Sequence, residues 1–260
     1  MTTTTIRPGG RRVPRSMTIW SMRLALLVVV LAAWVFATTV GGVSPLILPG
    51  IAAVLESFFS LVVRPEIWTQ AGITVLEMLA GFAIAAVVGL AVGFLLSRSR
   101  VLVRAAEPLF AWGYMFPFAL LYPLFLLWVG VGLESKILYA AVGAFFPIAY
   151  NTIRGLRSVD RKYLQVGKAY GASGLQIDLN IKLGAARPMI LSGLRIGSSI
   201  VTIYVVLAEL LGSNLGLGHE IESASSRLQI ADSYATVLLL IVVTVILQRI
   251  MEYLLRSRHE

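Results

Sequence analysis

Between Trp68 and Leu96 a single ionisable side chain, Glu77, interrupts an otherwise apolar run. As a helix rising about 1.5 Å per residue, this run is more than long enough to cross the ~30 Å of hydrocarbon in a bilayer. It therefore sets the solvent of the whole chain. Five other apolar blocks follow the same logic: Leu24–Val40, Ala105–Val129, Ile137–Thr152, Met189–Leu211, and Tyr234 to about Leu247. The expectation is an all-α membrane protein with six transmembrane helices. The chain is 58% hydrophobic and only 13% charged, against roughly 25% charged for a soluble domain.

The blocks differ in ways that predict packing. Gly81, Ala85, Gly89 and Gly93 recur every fourth residue of the second block. On a helix they form a smooth stripe that lets another backbone approach. Packing within the chain is the simpler expectation, and a subunit interface the sharper one. Pro108, Pro117 and Pro123 interrupt the third block and Pro147 the fourth. Each removes a backbone donor and predicts a kink. Ahead of the second block, Ile51–Val63 is amphipathic and is expected at the membrane surface.

Charge supplies the orientation. Residues 1–23 read as a disordered basic tail and 255–260 as a short C-terminal tail. The membrane domain is residues 24–254. A basic flank before an apolar run also describes a secretory signal. With more spans behind it and no small-residue cleavage site, an uncleaved first helix is expected. Six spans place both termini on one side. If that side is cytosolic, only Arg64, Lys136 and Arg227 of the 22 Lys and Arg lie opposite. Positive residues concentrate in the cytosol, so the net charge of +9 is a topology signal. No basic-aromatic interleaving for nucleic acid is present.

The longest basic interruption is residues 154–188, placed in the cytosol by this count. Within it, Leu164–Gly171 has helical character, and Gly171 is a suitable left-handed stop. Ser173 sits where an N-cap would start a second helix, Gly174–Leu183. A two-helix bracket of this kind would dock into a groove on a partner, where a solvated loop is the plainer alternative. No phosphate-binding loop occurs: Gly167-Lys168 is followed by Ala169, and Lys162 stands where the pattern needs glycine. With no cysteine and two histidines, His219 and His259, thiol chemistry is excluded and no metal site is expected. No nucleophile-base constellation of an enzyme is present.

The bracket resembles the E-A-A-x(3)-G-x(9)-I-x-L-P coupling motif of the membrane subunits of bacterial ABC importers. Gly171, Ile181 and Leu183 match at that spacing, and Pro188 matches a second proline common in the group. Gln165, Val166 and Gly167 stand where E-A-A would be, and Gly184 replaces the first proline. Tyr122-Pro-Leu-Phe-Leu-Leu-Trp-Val-Gly130, Glu134-Ser-Lys-Ile137, Phe146-Pro-Ile148 and Asn151-Thr152 resemble a run of the nitrate/sulfonate/taurine-type branch. Ala208-Glu209 with Asn214-x-Gly216-x-Gly218 is similar to that branch's end of span five, and Ser44-Pro45 and Leu48-Pro49 to its outer entry. The similarity covers about residues 44–250.

The resemblance implies a type I importer permease in the bacterial inner membrane. Two copies, as a homodimer, would form the pathway and work by alternating access. ATP and Mg would be bound by two cytosolic ATPase subunits, with no cofactor on this chain. A periplasmic or lipid-anchored binding protein would deliver a small anionic or planar solute, such as a sulfonate, nitrate, bicarbonate or an aromatic acid. ATPase contact would fall on Gln165, Val166, Gly167, Ala169, Tyr170, Gly171, Ala172 and Ser173, framed by Ile181, Leu183 and Pro188.

Charge inside a membrane is costly and marks candidate functional groups. Glu77 and Glu209 are the candidates at membrane depth. Glu77 departs from the branch, which often carries Arg there. Glu107 is expected at the cytosolic interface, and Asn151 as a capping or cross-bonding residue. Phe116, Pro117, Phe118 and Tyr122 are the aromatic candidates for lining the pathway. An ion- or proton-driven secondary transporter or channel is the alternative. It would show acid relays or repeated halves, and the halves here show no obvious repeat.

Overall fold

The computed structural model describes residues 15–256, and every element among them is helical. Helix α1 spans Arg15–Thr39, α2 Ile51–Val62, α3 Pro65–Ser97, α4 Arg100–Met115, α5 Tyr122–Val129 and α6 Leu133–Arg157. After them come α7 (Arg161–Ala169), α8 (Gly174–Gln176), α9 (Leu183–Gly212), α10 (Leu217–Ser226) and α11 (Ile230–Leu254). Five helical stretches are long and apolar enough to cross a membrane, and α4 with α5 makes a sixth if counted as one bent span.

Three helices make the core. α3, α6 and α9 pack side by side, burying Met78, Ala85, Ala144, Ile148, Leu194 and Val201 between them. The small-residue stripe of α3 faces α6, which settles it as packing within the chain. At Gly93 an added Cβ would stand 2.6 Å from Cβ of Thr152, so only glycine allows this approach. Gly89 meets Ile148 in the same way at 2.8 Å. Near the opposite end of the core, Tyr122, Phe125, Tyr139 and Ala208 form a second cluster.

Helix α1 stands apart. None of its apolar window is buried by the rest of the chain. It is tethered where Trp34 Nε1 donates to the Pro49 carbonyl (2.9 Å) and its ring meets Tyr234 at 6.0 Å. A disordered tail to residue 23 was expected, but the helix already begins at Arg15. The polar and basic residues there lie on the same uninterrupted turns as the apolar run. Residues 1–14 and 257–260, which hold the rest of both expected tails, lie outside the described residues.

Two further boundaries differ from expectation. The third apolar block is not one helix. α4 ends at Met115, Phe116 is extended at φ −69°, ψ 133°, and a 3-10 turn (Phe118–Leu121) leads into α5. The two halves meet at 76°. Pro117 accounts for the break by holding the preceding residue out of the helical region. The second bracket helix is also not separate. From Gly174 the chain passes through a π-helical stretch, Ile177–Lys182, directly into α9. Gly184 does not end a helix as proline would. Pro188 lies inside α9, and the carbonyl its ring would crowd belongs to residue 184, a glycine.

The amphipathic expectation for residues 51–63 fits α2. It buries Val54 and Leu61 and leaves Leu55 and Phe59 exposed. Its buried side joins Ile67, Ala71, Leu217, Leu239 and Leu240 in a small cluster between α3, α10 and α11.

Candidate functional site

The bracket is built from local chemistry. Asp160 caps α7 by accepting from Lys162 N (3.0 Å). α7 stops at a turn in which Gly171 takes φ +75°, a left-handed conformation that glycine adopts without Cβ strain. Ser173 and Gln176 then form a reciprocal capping box: Ser173 Oγ accepts from Gln176 N at 3.3 Å, and Gln176 Oε1 from Ser173 N at 2.8 Å. The two arms close on each other where Gly167 meets Ile181 Cδ1, which an added Cβ would approach to 2.5 Å.

Outside this contact the bracket is open. Gln165, Val166, Ala169, Tyr170, Gly171 and Ser173 are exposed, Ala172 and Ile181 are half-buried, and Gly167 is buried. Leu183 and Pro188 lie exposed on the first turns of α9. Tyr163, Val166, Tyr170 and Leu175 present apolar surface on an otherwise polar segment, with Tyr170 88% exposed. The bracket is tied to α3 through Asp178, which pairs with Arg98 (3.1 Å) and Lys182 (2.7 Å). Burial pushes the Asp178 carboxyl up, but hydrogen bonds from Lys182 and Arg98 outweigh it and hold it below the usual carboxylate range. Asp178 precedes the apolar stretch of α9.

The acidic candidates Glu77 and Glu209 come together at the far end of the core. Both are essentially inaccessible, at 0% and 1%. Glu77 pairs with Lys136 of α6, itself 1% exposed. The ammonium also donates to Ser213 Oγ (2.8 Å) and the Leu215 carbonyl (3.1 Å). Glu209 accepts from Thr74 Oγ1 (2.7 Å) and Gly218 N (2.8 Å). Thr74 Oγ1 in turn accepts from Leu217 N (2.9 Å), and Gln70 Oε1 from Gly216 N (2.7 Å). The network pins the turn between α9 and α10 onto α3 and α6. Gly216, at φ +102°, brings its backbone against the Glu209 carboxylate.

Lys136, Thr74 and Gln70 were not among the expected site residues. The available signal was electrostatic: two acids in apolar blocks require a cation, and Lys136 stands three residues into an apolar helix.

The remaining candidates separate. Phe116 and Phe118 are half-buried with rings 4.9 Å apart, and Phe118 stacks on Phe146 at 5.0 Å. Pro117 is exposed at the break. Tyr122 is 1% exposed and packs against Tyr139 at 5.1 Å, within the chain's own core. Asn151 is half-buried, donates to the Pro147 carbonyl (2.8 Å) and lies against Gly193 of α9. Glu107 is exposed on α4. Among the described residues, no group of His, Asp and Glu could hold a metal ion.

The family model described as "Binding-protein-dependent transport system inner membrane component" matches residues 81–259. An ABC transporter permease protein of Haemophilus influenzae is 31% identical, covering 89% of this chain and 94% of its own. An aliphatic sulfonates transport permease protein of Bacillus subtilis, SsuC, is 32% identical over 91% of this chain and 84% of its own. Among solved structures, an inward-facing MetNI methionine ABC transporter gives a TM-score of 0.61 at 20% identity. That match covers 73% of this chain and 94% of the other.

Proposed function

Because the chain belongs to the family of inner membrane components of binding-protein-dependent transport systems, we propose that it forms the substrate pathway of an ATP-driven importer by alternating access. Two copies enclose the pathway. Two cytosolic ATPase subunits carry ATP and Mg and grip the bracket around Gly171. A periplasmic or lipid-anchored binding protein delivers the solute. The chain lies in the inner membrane with both termini cytosolic.

The bracket carries this reading. An exposed elbow with apolar Tyr170 at its tip and a capped helix on either side suits a groove on another protein. The second arm is continuous with α9, so closure of the partners moves a transmembrane helix as a rigid element. With no phosphate-binding loop in the sequence, the energy enters from another polypeptide.

The substrate is a small anionic organic solute, with sulfonates the leading class by analogy to the Bacillus subtilis relative. Phe116, Phe118 and Asn151, half-exposed in a single chain, face the pathway. Glu77 and Glu209 hold the outer turn through Lys136, Thr74 and the Gly218 amide.

Replacing Gly171 by Val tests the bracket, because a β-branched residue does not tolerate this backbone conformation. The expected result is loss of substrate uptake by the assembled transporter, with membrane insertion unchanged. Normal uptake with normal substrate-stimulated ATP hydrolysis would remove the bracket's role.

A further inference from the structure

Where α11 ends on the bracket side of the molecule, against the middle of α9, a cavity of about 400 Å³ is lined by Arg195, Arg249, Glu252, Tyr253 and Arg256. Three guanidinium groups there face one carboxylate. That carboxylate quenches little: Arg249 and Glu252 stand 3.6 Å apart with side chains 80% and 58% exposed, and exposed pairs of this kind are weak. Arg195 is half-buried and anchored, its Nη2 donating to the Leu255 carbonyl at 3.1 Å. A cation at this place also answers the carbonyl end of α11. Guanidinium forks match phosphate oxygens in a bidentate way.

Depth identifies the source of the phosphate. Arg195 lies about 26 Å down α9 from Gly212, and Arg249 about 29 Å down α11 from Ile230, at the helical rise per residue. Hydrocarbon is ~30 Å thick. With the opposite ends of these helices at the outer surface, the arginines stand level with the inner-leaflet headgroups. A second cavity of about 380 Å³ shares Arg249 and Glu252 and lies between the same two helices. Its lining changes from Ser199, Thr202 and Gln248 to Ile203 and Val245. Ile203 and Val245 are exposed, as is the neighbouring Ile246. A headgroup in the first cavity thus has a place beside it for glycerol and the start of an acyl chain.

We propose that the cavity between the middle of α9 and the inner end of α11 binds the phosphate headgroup of an anionic phospholipid. The proposal rests on the orientation given above. Basic pockets between transmembrane helices on the cytoplasmic side suit such headgroups.

Native mass spectrometry of the full chain in detergent, titrated with phosphatidylglycerol, phosphatidylethanolamine or inorganic phosphate, tests it. Phosphatidylglycerol is expected to remain bound at concentrations where the zwitterionic lipid does not. Arg249→Gln with Arg256→Gln should weaken it about 30-fold, taking each arginine's contribution at the membrane surface. Arg195 is left in place because it caps α11. Arg249→Lys with Arg256→Lys, which keeps both charges, should retain most binding and shows that the pair tolerates substitution. Equal retention by wild type and the Gln variant overturns the proposal. Inorganic phosphate competing as well as the lipid assigns the pocket to a soluble anion and overturns the lipid source. A C-terminal reporter fusion reads orientation independently, so a reversed chain and an empty pocket give different results.

Discussion

Lys136 is a residue whose loss the fold tolerates poorly. It is the cation beside two buried carboxylates, and through Ser213 and Leu215 it also fastens the turn between α9 and α10. Removing one partner from a buried pair costs about 3–5 kcal/mol, because the other charge stays buried and unanswered. Lys136→Met is therefore expected to lower the thermal unfolding midpoint of the purified chain steeply. Adding Glu77→Leu should recover part of the loss, a pattern no single-residue packing effect produces. Thermal melts of both variants, side by side, decide it. Glu77 and Glu209 were visible as anomalies in apolar sequence, but their meeting was not. They lie on helices far apart in the chain, and nothing local in either block says which faces oppose. Lys136 was missed because its position near a block edge made it look like an ordinary loop charge. Tyr122 shows the same limit: an aromatic beside a proline break can line a cavity or fill the core, and only tertiary packing puts it against Tyr139.

Among the elements, the spans were the most legible part, since a run of apolar residues carries its own length test. Their ends were less so. Helix α1 starts before its apolar run because no residue from Arg15 to Arg23 forbids helical backbone. The third block broke at Pro117, as its prolines suggested, but the 76° bend depends on what the two halves pack against. The bracket was legible where its signals are local: Gly171 as a left-handed stop and Ser173 as a cap. Ser173→Ala should cost about 1 kcal/mol of local helix stability, seen as faster amide exchange across Gly174–Ile181 with α7 unchanged. The π-helical stretch had no sequence signature and joined what had been read as two helices. At the α3–α6 contact, Gly93→Leu would drive a side chain into Thr152. Overpacking of this kind costs about 1–3 kcal/mol, and a reduced yield of folded protein by size-exclusion chromatography is the expected result. The same change on a face turned to lipid would leave the yield intact.

At the scale of the whole molecule, charge placement predicts orientation. A fluorescent protein fused after residue 260 should fold and glow in the cytosol. A dark fusion whose periplasmic reporter counterpart is active would reverse the assignment made from Arg64, Lys136 and Arg227 standing opposite the other basic residues. A second prediction concerns energy. The chain purified alone and reconstituted in vesicles should not hydrolyse ATP, because the residues around Gly167-Lys168 lack the glycine and hydroxyl a phosphate cradle needs. Helix α1 also belongs to this scale. Among the described residues, its contact with the rest of the chain is confined to its end near Trp34, which meets Pro49 and Tyr234.

The continuity from Gly174 to Gly212 makes α9 a drive shaft with fittings at both ends. One end carries the elbow at Gly171. The other carries the Glu209 carboxylate, clasped by the turn that Lys136 and Thr74 hold. On the proposed coupling, torque entering at the elbow meets no loop before the turn between α9 and α10. It would rotate the far end against the clasp or be taken up within the helix, at the wider winding of Ile177–Lys182 or at Pro188. The stiffness of those two places would set how much of a push on one face of the membrane is felt on the other.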